Sequence, residues 1–234
     1  MLTPRREGRK WIVRFDPDFD PDEGGMEFRL TYEGPLRASN GGRDTRPARK
    51  DHKHTIRKAF HEQLKVLWET TPFLKRGTSG GPNLLSLRSD YKKPPTTAEE
   101  LAAAHAHYGF NFVPLVTEEL GLMCSLDILY LRRAKPGDVL QFTGDIDNRL
   151  KTLFDTLQIP DANNRYSDRV PADDERPFFV LLENDKLITK VSVETDRLLQ
   201  GVSNPDGDTE NDARLVITVR IRPYEMHPDN IQFG

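Results

Sequence analysis

The sequence predicts an α+β protein, a mixed or antiparallel sheet with helices packed on one of its faces. Three observations carry this. Several segments alternate apolar and polar residues with a period of two, as half-buried strands do. Two longer segments repeat their apolar residues at helical spacing, and the strand-like segments come in runs before, between and after these helices, not in strict alternation with them.

In chain order, "WIVRF" is an extra strand ahead of "MEFRLTY", where Met26, Phe28, Leu30 and Tyr32 alternate with Glu27, Arg29 and Thr31. From Ala48 to Glu69, Ile56, Phe60, Leu64 and Leu67 recur on one helical stripe, and Lys50, Lys53, Arg57 and Lys58 fall largely off it. A surface excursion rich in Gly, Ser and Pro follows Lys75. It holds one short helix, capped by Thr96 or Thr97, each with a Glu three residues on, and ending near Gly109. "FNFVPLV" and "MCSLDILYLRR" are strands, the second apolar on both faces and therefore central in the sheet. "KPGD" is a turn, and "VLQFTG" leads into a helix beginning in "GDIDNRLKTLFDTL". After a polar loop, "FFVLL" and "KLITKVSVET" bracket Glu183, Asn184 and Asp185, and "ARLVITVRIRP" is the last strand.

At 234 residues, with 30% charged and 9% aromatic residues, the chain can bury a proper core, and we expect one domain over 1–234. No apolar run reaches the roughly 20 residues that cross a bilayer, so no membrane partner is expected. The basic opening "MLTPRREGRKW" lacks an apolar stretch, and one cysteine cannot form an internal disulfide. The expectation is a soluble cytoplasmic protein. Cys124, inside an apolar run, is expected to be a buried structural thiol.

A net charge of −3 conceals a segregation, because Arg37 to Arg76 holds eleven Lys or Arg against four Asp or Glu, a local net of +7. This is either a patch that meets phosphate or an ordinary solvated helix face. His52 with His54, and His105 with His107, are two residues apart, so on a helix neither pair can chelate one ion. They are expected at the surface or the edge of the core. "RGTSGGPN" lacks the Lys-Ser/Thr of a phosphate-binding loop.

On a helix starting near Asp145, the residues Ile146, Leu150, Leu153, Phe154 and Leu157 face the sheet. Asp147, Lys151 and Asp155 form a polar stripe beside Asn148. One reading is structural, with an Asp capping the helix and a surface ion-pair ladder along it. The other is functional: acids in "LLENDKLI", set between apolar runs, converge with Asp145 and Asp147 into the oxygen-rich site that Mg²⁺ prefers, with a lysine beside it to hold phosphate.

"GDIDNRLKTLFDTL" resembles the signature of the RusA-type Holliday junction resolvases, D-x-D-N-x-x-K with an Asp four residues later and an acid downstream before a strand. The match falls on Asp145, Asp147, Asn148, Lys151 and Asp155, with Asp185 as the downstream acid, and the order of elements matches over about 26–223. The resemblance implies a homodimeric, Mg²⁺-dependent endonuclease of DNA recombination and repair, with Mn²⁺ as a substitute ion, acting on four-way or other branched DNA. In that reading Asp145, Asp147 and Asp185 ligate metal, Lys151 sits by the scissile phosphate, and Asn148, Asp155 and Glu183 support them. Arg49, Lys50, Lys53, Arg57, Lys58, Arg132 and Arg133 are the expected backbone contacts. The chain departs from this compact family through insertions at about 75–109 and 160–177 and through Asn184, which stands where the family often has an Asp. The alternative is a catalytically weak or inactive nucleic-acid-binding or assembly protein on the same scaffold.

Overall fold

The structure, a computed structural model, describes residues 3–7, 10–14, 25–39, 46–78, 93–133, 145–161, 169–200 and 211–234. The expected strand "VLQFTG" and the acidic stretches near residues 15–23 and 204–210 lie outside these residues. The fold is α+β. β1 (Thr3–Glu7) pairs antiparallel with β2 (Lys10–Arg14), so "WIVRF" is a strand as expected, with a partner the pattern did not reveal.

The principal sheet has four strands: β3 (Met26–Pro35), β9 (Asp212–Pro223), β6 (Leu122–Arg132) and β8 (Ile188–Arg197), in the order β3-β9-β6-β8. β9 is antiparallel to β3 and β6, whereas β6 and β8 run parallel, so the sheet is mixed. A smaller sheet orders β4 (Ala106–His107), β5 (Phe110–Val116) and β7 (Phe178–Leu182) as β4-β5-β7.

Period-two patterning gives the large sheet one buried face. Leu30 and Tyr32, then Leu126, Ile128 and Tyr130, then Leu215, Ile217, Val219 and Ile221 are buried on it. β6 is central, as expected, but its second face is only half-buried, where Asp127 meets a charge ladder. On that face Arg220 pairs with Glu27 at 2.8 Å and with Asp127, and Arg214 pairs with Glu33 at 3.0 Å. These exposed pairs contribute little individually, but they keep this face wet and leave the helices to cover the other.

The long helix α1 (Arg46–Thr70) buries Ile56, Phe60, Leu64 and Trp68 and packs on β3 and β7. A short α2 (Pro72–Arg76) follows, and Thr78 N–H donates to Thr96 O at 3.0 Å, drawing the ends of the excursion together. Within that excursion, α3 (Ala98–Ala104) has the expected capping box, Thr97 Oγ1 accepting from Glu100 N–H while the Glu100 carboxylate accepts from Thr97 N–H. The acidic helix α4 (Asp145–Leu157) packs against α1 and turns Leu153 and Leu157 into the core. Among the described residues, no helix is long and apolar enough to cross a membrane.

Strand register defines the two ends of the principal sheet. At one, Pro35 faces Asp212, Ala213 faces Arg132, and Arg132 faces Arg197. At the other, Met26 faces Ile221, Ile221 faces Cys124, and Cys124 faces Ile188.

Candidate functional site

α4 is fastened by its first turns to the chain leaving β3. Ser39 N–H donates to Asn148 O at 3.1 Å, Ser39 Oγ donates to Asn148 Oδ1 at 3.2 Å, and the buried Arg149 guanidinium donates to Leu36 O. The helix therefore starts at the Pro35–Arg132–Arg197 end of the sheet. Thr152 Oγ1 donates back to Asn148 O at 3.2 Å, a bond that leaves Asn148 held on both sides. Asp147 and Lys151 are exposed on this turn and the next. The backbone of Asp145 opens the helix.

Asp155 is not part of a surface ladder with Asp147 and Lys151. Its carboxylate meets Lys53 Nζ of α1 at 2.6 Å, with both side chains about nine-tenths covered at 14% and 13% exposure. Its carbonyl accepts from Arg57. The amphipathic pattern places Asp155 near the seam between α4 and α1, where a carboxylate is stable only with a cation beside it.

Asp185 lies at the far end of the same helix. Its N–H donates to Gln158 Oε1 at 2.8 Å, and it opens a short 3₁₀ turn (Asp185–Leu187) that leads into β8. Eleven residues of helical rise separate Asp147 from Gln158, about 16 Å. The expectation that Asp145, Asp147 and Asp185 converge is therefore corrected: within one chain Asp185 sits by the Cys124–Ile188 end of the sheet and the other two by the opposite end. Among the described residues, no group of three or more His, Cys, Asp or Glu is placed to hold a metal ion.

The polar residues of "LLENDKLI" have local partners. Glu183 Oε2 accepts from Glu118 N–H at 2.9 Å, and Asn184 Oδ1 accepts from Lys186 N–H at 3.1 Å while its Nδ2 donates to Glu118 Oε1 at 3.2 Å. They close the turn between β7 and β8. Two strands ending within a few residues of each other need such a turn, which explains acids between apolar runs without a metal.

The basic set also divides. Arg57 is 1% exposed and serves the α1–α4 seam, so it is no DNA contact, and Lys53 is engaged by Asp155. Lys58 pairs with Asp174 at 2.8 Å, which raises the lysine pKa and lowers that of the aspartate. Arg133 Nε pairs with the fully buried Asp212 carboxylate at 3.1 Å. Arg49 Nη1 donates to Ser39 O at 3.2 Å, and Lys50 and Arg132 are half-buried. Arg37, Ser39, Arg49, His52, Lys53 and Thr152, with Ala38, line a small notch beside α4. Of these, Ser39 and Thr152 were not singled out from sequence, Arg37 entered only as the start of the basic segment, and His52 only as half of the pair with His54. The residues that follow β3 do not show in sequence which helix they will grip.

The histidines diverge as their spacing requires. His52 Nε2 accepts from Arg37 N–H at 3.2 Å, whereas His54 points inward to Glu175 Oε1 at 2.9 Å. Burial and the nearby Arg169 push the His54 pKa down to about 4. His61, also buried and lowered by burial, accepts from Phe179 N–H through Nδ1 at 2.9 Å and reaches Asp174 O through Nε2 at 3.0 Å. His54 and Glu175 are thus core residues, not edge ones, and they fasten the end of the 160–177 insertion to α1.

Comparison with protein-family models, curated proteins and solved structures finds no match for this chain.

Proposed function

We propose that this protein is an Mg²⁺-dependent endonuclease acting on four-way or related branched DNA. The observation that carries the reading is the first two turns of α4, where exposed Asp147 and Lys151 stand beside a notch lined by Arg37, Arg49 and Lys53. Mg²⁺ is commonly held by one or two carboxylates together with substrate phosphates, so Asp145 and Asp147 are a donor set it accepts when DNA completes the shell. The bound ion supplies Lewis acidity at the phosphodiester. Arg37 and Arg49 hold the DNA backbone in register, and Lys151 offsets the negative charge that grows on the phosphate as it is attacked. Branched DNA, a homodimeric state and a cytoplasmic setting in recombination or repair belong to the same proposal, drawn from the resemblance of the motif.

A second reading is favoured by the remoteness of Asp185: a protein of the same scaffold that binds nucleic acid without cutting it. Purified protein assayed on a panel of branched, duplex and single-stranded DNAs decides between them. The nuclease reading expects cutting only with Mg²⁺ or Mn²⁺, abolished in Asp147→Asn while DNA binding survives. Salt-sensitive binding with no cleavage of any substrate selects the second reading.

A further inference from the structure

We propose that Ser39 is a positioning residue for nucleic-acid binding, one whose hydroxyl turns the side-chain amide of Asn148 so that it offers a donor to a backbone phosphate in the notch beside α4. This rests on the notch as a phosphate site, which both readings above share, and not on cleavage.

Residues 36–39 bracket three elements together. Leu36 N–H donates to Asn211 O, just ahead of β9, at 2.8 Å, and Leu36 O accepts from Arg149 of α4. Two side chains of α1 hold the bracket from the other side: His52 Nε2 accepts from Arg37 N–H and Arg49 Nη1 donates to Ser39 O, each at 3.2 Å. Ser39 then grips a single residue of α4 twice, with its N–H on the Asn148 carbonyl and its hydroxyl on Asn148 Oδ1. The backbone bond is enough to fasten the helix. The hydroxyl bond fixes something else.

A side-chain amide has an end that only accepts and an end that only donates. Phosphate oxygens accept, so which end meets them decides between attraction and repulsion. Because Oδ1 only accepts, the Ser39 hydroxyl donates to it, and the amide is held with Oδ1 on Ser39 and Nδ2 at its other end. Thr152, four residues on and therefore on the same face of α4 as Asn148, lines the notch with Arg37, Ser39 and Arg49. Asparagine N–H groups are common donors to nucleic-acid phosphates, alongside Arg and Lys. Without the hydroxyl, nothing in the bracket stops the amide turning over and presenting its oxygen.

Fluorescence anisotropy of a labelled four-way DNA, in buffer without divalent ions, reads binding apart from cutting. Ser39→Ala changes no charge and should weaken binding roughly tenfold, as expected for one lost hydrogen bond to a charged group. Ser39→Thr keeps the hydroxyl and should recover most of the affinity. Ser39→Ala combined with Asn148→Ala should bind no more weakly than Asn148→Ala alone, since Ser39 acts through that amide. Urea denaturation shows which variants are folded under the assay conditions. Wild-type affinity in folded Ser39→Ala, or losses that add in the double variant, overturns the proposal. If Ser39→Ala does not fold, Asn148→Asp decides: its carboxylate still accepts from Ser39 but carries no N–H, and binding as tight as wild type overturns the proposal. Wild-type protein that binds no DNA removes both readings of the notch and the role of Ser39 with them, whereas binding without cutting removes only the nuclease reading.

Discussion

Removing the Asp155 carboxylate separates a structural from a catalytic role for that residue. Lys53 Nζ and Asp155 Oδ2 are 2.6 Å apart, and neither side chain is more than about one-seventh exposed. Arg57, one turn further along α1 and 1% exposed, adds a second cation to the seam. Breaking a buried pair on one side strands the remaining charge, at a cost of about 3–5 kcal/mol. The residual exposure here puts Asp155→Ala at the lower end, about 3 kcal/mol. For a chain of this size that lowers the melting temperature by roughly 6–12 °C. Replacing both partners by apolar residues of similar volume, Lys53→Met with Asp155→Leu, should cost less than either single change, because no charge is left unpaired. Urea denaturation of wild type, Lys53→Met, Asp155→Leu and the double variant, read as a double-mutant cycle, with Asp155→Ala beside them, measures this. If Asp155→Ala stays within about 0.5 kcal/mol of wild type, or if the double change is the sum of the singles, the seam is not held by this pair.

Two further outcomes follow from buried titratable groups. His54 has its folded pKa lowered to about 4 from an unfolded value near 6.5. The unfolded chain therefore binds more protons between those values, and the stability from a neutral His54 is complete above about pH 6.5 and lost as pH falls toward 4. His61 shifts in the same direction. The urea midpoint should fall between pH 7 and pH 5, and the fall should shrink in His54→Gln. A midpoint independent of pH in this window would contradict the buried neutral imidazoles. Cys124 is 0% exposed, and burial pushes its thiol up to about 12. It should resist alkylation in native protein at pH 8 and react in urea, as mass spectrometry would record, and rapid native labelling would refute its place in the core.

Much of the fold was legible in the sequence, because local periodicity is a property of neighbouring residues. β3, β6, β9 and both long helices follow from residues that alternate or recur every turn, and the Thr97–Glu100 capping box spans three residues. The helical placement of Asp145, Asp147, Asn148 and Lys151 was readable for the same reason, since they share two turns.

Only the tertiary structure decided which distant groups meet. It joined Asp155 to Lys53 across 102 positions and His54 to Glu175 across 121, and it set Asp185 beside Gln158 instead of beside Asp147. Residue type and spacing show that a charge must find a partner; they do not show which one. The order of strands and the direction of α4 along the sheet choose it. A helix that runs from one end of the sheet to the other carries its first and last turns apart, however close an acidic motif makes them look along the chain.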